Sequence, residues 1–379
     1  MSTRLDITAL TRDKKIIVCC GSGGVGKTTA AAAMGVLAAT QGRSALVMTI
    51  DPAHRLSQAM GLDGLSNDPQ RVDLDAPGSL HAMMLDSKRT FDRLVESYAA
   101  NERIRDTIFA NNYYQQMSSS LGGSKELIAM ERVFEIASAQ DYDLLIVDTP
   151  PAQRALDFLD APKRMIDLLD GTLTGLLLKP YGLAARMQFG LFRESSAVTM
   201  KFLERLTGFE ILTDLSDFMM AFSSMFDGFK DRSHKVMELM RGPGTSFVLV
   251  CAPARMSLGQ ADQFAARLTS ESISIAGVLV NRVHLPFATS GDLADADLIS
   301  ELAPIGLLSD KSIDGLTLIA RVTGAYTSQR ALVRSDRAAL KQLRESELPS
   351  HLVPHFNRDL HNMEDMEEFA AALYPYSVP

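Results

Sequence analysis

Cysteine is scarce in this sequence: the 379 residues include only Cys19, Cys20 and Cys251. Their number and spacing give neither a disulfide framework nor a Cys-x-x-Cys pair. All three lie in or at the end of apolar runs, so we interpret them as small core residues. The alternative, a soft-metal or metalloid site, requires thiolates that converge in space. The cysteine content therefore predicts a reduced, cytoplasmic protein.

Positive charge is also in deficit. The 38 lysines and arginines are outnumbered by 46 aspartates and glutamates, which leaves a formal net charge of −8. Because contacts to nucleic-acid phosphates need clustered basic side chains, and no basic block occurs, we predict no nucleic-acid partner.

Long apolar runs are missing as well. The opening residues MSTRLDITALTRDKK lack the apolar centre of a secretory signal. No stretch reaches the roughly 18 uncharged apolar residues of a membrane-spanning helix. The richest candidates, residues 165–180 and 211–229, are interrupted by aspartates. These absences also favour the cytoplasm.

Short apolar runs alternate with helix-forming sequence over much of the chain. The runs that resemble buried strands are residues 16–20, 44–50, 142–148, 246–253 and 273–282. Helices are predicted from the glycine-rich loop to about residue 40 and over residues 257–269. Continuous apolar strands separated by helices are typical of a parallel sheet covered on both faces. The predicted fold class is α/β, a doubly wound and mostly parallel sheet.

Two regions break this alternation and predict an inserted all-helical subdomain. One region is residues 88–138; the other, residues 160–241, holds eight methionines and eight phenylalanines and no strand-like run. The nucleotide-binding domain would then comprise residues 1–87, 139–160 and 242–379. Two interpretations of the Met/Phe-rich helices stay open: plain packing between helices, or an adaptable apolar groove that binds a partner.

A glycine-rich loop carries the clearest chemical signal. Residues 21–28 read GSGGVGKT, which is the P-loop pattern Gly-x-x-x-x-Gly-Lys-Thr, with a strand before it and a helix after it. Glycines let backbone N–H groups turn toward phosphates, the lysine reaches the β- and γ-phosphates, and the threonine hydroxyl is offered to Mg²⁺. The predicted cofactors are ATP and Mg²⁺. The residues predicted to hold them in this loop are Gly21, Ser22, Gly23, Gly24, Val25, Gly26, Lys27, Thr28 and Thr29.

Two aspartates end predicted strands close to this loop. Asp148 occupies the place of the acidic residue that organises Mg²⁺ in P-loop proteins; without the loop it would be interpreted as a turn cap. Asp51 stands where a carboxylate could orient or deprotonate an attacking water. An Asp-Pro turn is an equally good interpretation of Asp51 from spacing alone.

With these motifs on the page, the chain resembles the arsenite-pump and tail-anchored-protein-targeting (ArsA/GET) ATPase family. The resemblance rests on the P-loop, on TIDPAHRLS as switch I and on LLIVDTPP as Walker B and switch II. It implies an ATP-driven dimer with helical subdomains above the nucleotide sites. By the same resemblance, Lys27 and Thr28 take phosphate and Mg²⁺, Asp51 positions the hydrolytic water, and Asp148 lies in the outer shell of the metal. Asn281 would read adenine, and the stretch from Pro354 to residue 357 would cover the base.

Departures from the family pattern raise a question about charge. Members usually have a lysine where Ser22 stands, reaching across the dimer to the partner's phosphates, and Arg154 stands where switch II often has histidine. The paired Cys-x-x-Cys of targeting factors and the separated cysteines of a metalloid site are both missing, which suggests a bacterial branch. Three routes stay open: Arg154 or another basic residue substitutes, a lysine-bearing paralogue completes a heterodimer, or hydrolysis is slow. The heterodimer is slightly favoured.

The first functional hypothesis is a Mg²⁺-dependent ATPase, a homodimer or heterodimer that couples hydrolysis to rearrangement of its helical subdomain. The second is an ATP-gated carrier that shields hydrophobic membrane-protein segments with little turnover. The third is an anion-pump motor that docks on a membrane protein. A P-loop synthetase acting on a small molecule is a remote fourth.

Overall fold

The computed structural model describes residues 4–51, 55–111, 114–115, 124–150, 225–286, 315–345 and 348–374. The strands found there are β1 (Ile16–Gly21), β2 (Ser44–Thr49), β3 (Gln70–Arg71), β4 (Ser79–Met84), β5 (Leu144–Asp148), β6 (Thr245–Cys251), β7 (Ile275–Val283) and β8 (Ser350–Pro354). They form one sheet in the order β3–β4–β2–β5–β1–β6–β7–β8, in which only β3 runs antiparallel to its neighbour. The α/β, mostly parallel prediction is confirmed.

Helices cover this sheet. The named helices are α1 (Ile7–Asp13), α2 (Lys27–Thr40), α3 (Arg55–Ala59), α4 (Ser87–Tyr98), α5 (Glu102–Ala110), α6 (Ser124–Ala139), α7 (Phe226–Arg241), α8 (Arg255–Ser270), α9 (Gly315–Glu345) and α10 (Met363–Ala371). Among the described residues, no helix combines the length and apolarity that crossing a membrane requires.

The sheet separates two apolar cores. Side chains of β1 alternate between them: Ile16 and Val18 join one cluster, while Ile17 and Cys19 join the other. Both sets are fully buried. A strand buried on both faces has no polar alternation, which is why β1 reads as a continuous apolar run.

The sequence predicted the central strands but missed β3, β4 and β8. In β4, Ser79 and His81 interrupt the apolar residues. The last strand, β8, lies at the edge of the sheet and ends at Pro354, where a missing N–H costs no pairing within the sheet. Edge strands need fewer apolar residues, so composition gives them a weak signal.

The described parts of the two predicted helical regions contain helices joined by short loops and no strand. Helices α4, α5 and α6 fall within or at the border of residues 88–138, and α7 is the described end of residues 160–241. In α6 and α7, Arg232 Nε donates to Glu131 Oε1 at 2.5 Å, and its guanidinium lies 4.0 Å from the centre of the Phe134 ring. The division into domains stays a prediction, and most of the Met/Phe-rich stretch lies outside the described residues.

Helix α2 follows the glycine-rich loop and is buried over most of its length. A small residue lets it approach the sheet at one point: a Cβ atom on Gly35 would lie 2.6 Å from Val47 Cγ2 and 2.9 Å from Leu80 Cδ1. In α8, by contrast, a Cβ atom on Gly259 would meet nothing within 4 Å.

This contrast predicts opposite effects of the same substitution. We expect Gly35→Ala to lower the free energy of unfolding by about 1–3 kcal/mol, because the added methyl overpacks the helix–sheet contact. Gly259→Ala should raise it by about 0.5–1 kcal/mol, because alanine restricts the unfolded chain and fits the helix. Urea unfolding of both variants checks this pair, and equal effects would contradict the packing argument.

Candidate functional site

The glycine-rich loop joins β1 to the buried helix α2. Gly26 is the N-cap of α2 and has a left-handed backbone with φ of 91°. A Cβ atom there would lie 2.3 Å from Asn281 Nδ2, so both conformation and space require glycine. No side chain caps this helix end. Its first N–H groups lack helical partners, and the helix dipole adds positive potential, which suits a bound phosphate.

The Lys27 side chain is hydrogen-bonded back to the glycine-rich loop that precedes it. Its Nζ donates to the backbone oxygen of Ser22 at 3.0 Å, and only 8% of the residue is exposed. Burial lowers the pKa of Lys27, while the nearby Asp148 carboxylate acts in the opposite direction. An ammonium held by one carbonyl in a buried site has donors left for an anionic ligand.

The carboxylate of Asp148 is the centre of the site. Its Oδ2 accepts from Thr28 Oγ1 at 2.7 Å and from Thr49 Oγ1 at 3.0 Å. Parallel register produces this meeting, because Cys19 and Thr49 are the pairing partners of Asp148 on the two neighbouring strands. Three strand ends and the start of α2 therefore converge on one carboxylate.

The other oxygen of this carboxylate, Asp148 Oδ1, is buried and has no hydrogen-bond partner among the described residues. Burial raises the pKa of Asp148 to about 6, although the bonds from Thr28 and Thr49 lower it. A buried carboxylate oxygen without a partner is costly. The donor set fits Mg²⁺, which takes oxygen ligands and keeps several waters. The Thr28 hydroxyl donates its only hydrogen to Asp148, so both lone pairs of its oxygen remain available to a metal.

Asp51 lies two residues beyond the end of β2. Its backbone N–H donates to Thr49 Oγ1 at 3.2 Å. Thr49 thus connects the two aspartates, since the same hydroxyl donates to Asp148. No sequence motif indicates this bridging role, because it depends on strand register.

Two adjoining cavities open over the loop. One, of about 500 Å³, contains the predicted phosphate-binding residues; its lining includes Gly23, Gly24, Gly26, Lys27, Thr28, Thr29 and Asp51. The other, of about 870 Å³, includes Asn281 and the segment from His355 to Leu360. The residues shared by the two cavities are Gly26, Thr29, Arg55, Arg282 and Leu360. No sequence motif pointed to Arg55 or Arg282 as a site residue.

The Asn281 side chain is hydrogen-bonded to the glycine-rich loop. Its Nδ2 donates to Val25 O at 2.9 Å, and its Oδ1 accepts from Arg282 N at 2.9 Å. One N–H of the side-chain amide is left for a base. Pro354 ends β8 and is not among the lining residues of either cavity, whereas Phe356 and its neighbours line the larger one. The adenine-reading role of Asn281 and the covering role of Pro354 stay predictions.

The side chain of Ser22 points away from both cavities. Its hydroxyl lies 3.2 Å from Ser257 Oγ, and the residue lines a separate small pocket with Leu249 and Phe264. Only the backbone oxygen of Ser22 takes part in the loop, through Lys27.

The cysteines lie in the core. All three are buried, and burial raises the thiol pKa, to about 12 for Cys20 and Cys251 and well above the ordinary value for Cys19. These thiols are protonated at neutral pH and pack as apolar groups.

The buried carboxylate predicts a specific pH dependence. The folded pKa of Asp148, about 6, lies above the ordinary value of 3.8, so the folded state binds this proton more tightly. This tighter proton binding stabilises the folded state fully below about pH 4, and the stabilisation is lost as the pH rises to about 6. The loss is about 3 kcal/mol in the free energy of unfolding, at about 1.36 kcal/mol per pKa unit. Asp148→Asn should remove this fall in the free energy of unfolding, measured with urea without nucleotide or metal.

The matched control is Asp73→Asn, which changes an exposed carboxylate far along the chain from the site. It should follow the wild-type pH profile. If Asp148→Asn also follows that profile, the carboxylate is not held in the way described.

Comparison with known proteins identifies the family of the chain. The family described as anion-transporting ATPase matches residues 14–292, more than half of the chain. An "ATPase ASNA1 homolog" of Plasmodium chabaudi chabaudi is 24% identical over 362 residues, covering 93% of this chain and 85% of the relative. A Cryptosporidium parvum protein of the same name is 26% identical over 300 residues, covering 79% and 74%. "ATPase get3" of Aspergillus terreus is 26% identical over 276 residues, covering 70% and 72%.

The resemblance to the ArsA/GET ATPases is thereby confirmed, and nucleotide use follows from it. The chain belongs to the anion-transporting ATPase family and is an ATP hydrolase of the P-loop class.

Proposed function

We propose that this protein is a Mg²⁺-dependent ATPase that works as a nucleotide-driven dimer switch. One observation carries the proposal: Asp148 is held by Thr28 and Thr49 at the start of the P-loop helix, and its second oxygen has no partner within the described part of the chain. A core carboxylate arranged only for stability would have both oxygens paired.

The loop would bind the phosphate chain of ATP. The N–H groups at the start of α2 face the phosphates, and Lys27 exchanges the Ser22 oxygen for a phosphate oxygen. Thr28 and Asp148 would hold Mg²⁺, Thr28 through its hydroxyl and Asp148 from the outer shell. When bound, the ion neutralises the charge that develops on the transferred phosphoryl group.

Asp51 would orient the attacking water and accept its proton. The residue lines the same cavity as Lys27 and Thr28, and its backbone is fixed by Thr49. General-base groups of this kind contribute about 10²–10⁴-fold in rate. The interpretation of Asp51 as a simple turn residue predicts no such contribution.

The switch would act through the core that the strands share with the helices. Met48 and Ile50, which lead to Asp51, belong to the same apolar cluster as Phe91 in α4 and Met240 in α7. A shift of Asp51 on hydrolysis would therefore be felt by these helices, because packed cores transmit displacement. We propose that the helical region binds a hydrophobic client or a membrane-protein partner, and that two subunits, identical or paralogous, pair in the cytoplasm.

The second candidate is an ATP-gated carrier for hydrophobic membrane-protein segments with little turnover. Ser22 favours it, because the loop lacks the lysine of the family and its serine side chain faces away from the cavities. Capture of a hydrophobic helical peptide by the protein in ATP and in ADP tests the carrier. Capture that does not depend on the nucleotide would contradict the carrier.

The hydrolytic site makes one prediction about Asp51. Asp51→Asn should lower kcat for ATP hydrolysis by at least about 10²-fold, while nucleotide affinity stays near the wild-type value, because the amide cannot accept the proton. Steady-state phosphate release and titration with a fluorescent ADP analogue measure the two quantities.

The control for Asp51→Asn is Asp63→Asn, which makes the same change at an exposed position after α3. It should keep wild-type turnover. Full turnover by the Asp51 variant would leave the turn interpretation standing and remove Asp51 from the mechanism.

A further inference from the structure

Two arginines stand where the cavities meet. Arg55 and Arg282 each line both the cavity that holds Lys27 and the cavity that holds Asn281. They come from distant parts of the chain, Arg55 from the start of α3 and Arg282 from β7. Both residues are exposed at the cavity mouth.

Within the part of the chain that the structure describes, neither guanidinium is paired with another side chain. No ion pair or side-chain hydrogen bond joins Arg55 or Arg282 to another described residue, whereas Arg232 and Arg358, for example, are paired with carboxylates. Two cations that no described residue pairs leave positive potential at one opening, and clefts with such potential attract anions.

The backbone directs Arg282 to this place. Between Val280 and Val283, β7 contains one residue more than the facing part of β8, since Val280 pairs with Leu352 and Val283 with Pro354. At this bulge Arg282 has a positive φ of 63°, which is uncommon for a residue with a side chain. Bulges of this kind redirect a side chain and are frequent next to active sites.

The strained residue is also fixed to the P-loop. Asn281 accepts from Arg282 N with one side-chain atom and donates to Val25 O with another. The position of Arg282 is therefore set by the phosphate-binding loop itself. Backbone strain that persists because its surroundings hold it is a mark of functional sites.

We propose that Arg55 and Arg282 bind the phosphate chain of ATP from within the same subunit and supply the positive charge that Ser22 cannot. Arg55 contacts the terminal phosphate, because it shares the cavity of Lys27 and follows Asp51 by four residues. Arg282 contacts the phosphates nearer the ribose, because it lies beside Asn281 at the junction with the larger cavity. The inference rests on the proposed nucleotide site.

The charge balance favours this assignment. The 500 Å³ cavity is lined by Lys27, Arg55 and Arg282, against Asp51 as its lining carboxylate. Position 22 contributes no side chain to it. An arginine that stabilises a phosphoryl transition state is worth about 10³–10⁵ in rate in other P-loop enzymes, and it can act in the same chain.

Single variants separate the two roles. Arg55→Gln should lower kcat by about 10²-fold or more with a small change in KM, and Arg55→Lys should restore part of the loss. Arg282→Asn should raise KM for ATP by about tenfold or more with a smaller change in kcat. Asparagine is chosen because it tolerates the left-handed backbone. Arg103→Gln, an exposed arginine in α5, is the matched control and should keep both constants.

A mixing experiment tests whether Arg55 acts within its own subunit. Equal amounts of Arg55→Gln and Asp51→Asn chains are unfolded together, refolded and assayed for phosphate release. Action within one subunit predicts that no activity returns, since every site lacks one group. Recovery to about a quarter of wild type or more would place Arg55 at the partner's site and overturn the proposal.

Failure of this inference is distinguishable from failure of the nucleotide site. If Lys27→Ala abolishes binding of a fluorescent ATP analogue while both arginine variants keep wild-type kcat and KM, the site stands and the arginine assignment is wrong. If Lys27→Ala still binds the analogue as the wild type does, the nucleotide site itself is wrong, and the arginine assignment falls with it.

Discussion

The arrangement of this site depends on one buried carboxylate. Asp148 accepts two hydroxyl hydrogen bonds on one oxygen, at a position that is almost fully buried, and its other oxygen has no partner in the residues that the structure describes. Desolvation makes such a charge costly, and its raised pKa is the sign of that cost. The sheet tolerates the carboxylate because strand register brings Thr49 to it and the P-loop helix brings Thr28. A ligand that pairs the remaining oxygen would stabilise the folded protein and tighten the site at the same time.

The need for positive side chains around the site follows from the same geometry. Phosphates bound over Asp148 add negative charge to a region that already holds two aspartates, so positive groups must surround them. Lys27 is one such group. Because the Ser22 side chain turns toward Ser257, the loop offers no second one, and Arg55 and Arg282 are the described cations that line the opening. Under this proposal a single subunit would carry its own positive charge, and pairing of subunits would serve the conformational switch.

Sequence alone predicted the parts that depend on local pattern. The central strands were predictable because burial on both faces makes them continuously apolar, and the P-loop because its spacing is fixed by phosphate geometry. The link from Thr49 to Asp148 was not, since it depends on the register of strands about a hundred positions apart in the chain. The bulge that places Arg282 was equally hidden, because it arises only when β7 pairs with β8. The Met/Phe-rich region, residues 160–241, lies mostly outside the described part of the chain, and a groove among its helices stays a prediction.

The most direct test of the central claim is a crystal structure of the protein with ADP, Mg²⁺ and aluminium fluoride, which mimics the transferred phosphoryl group. The account predicts the metal in contact with the Thr28 hydroxyl and Asp148 Oδ1 hydrogen-bonded to a water of the metal's shell. A metal bound away from Thr28, or an Asp148 Oδ1 that remains without a partner in the complex, would contradict it.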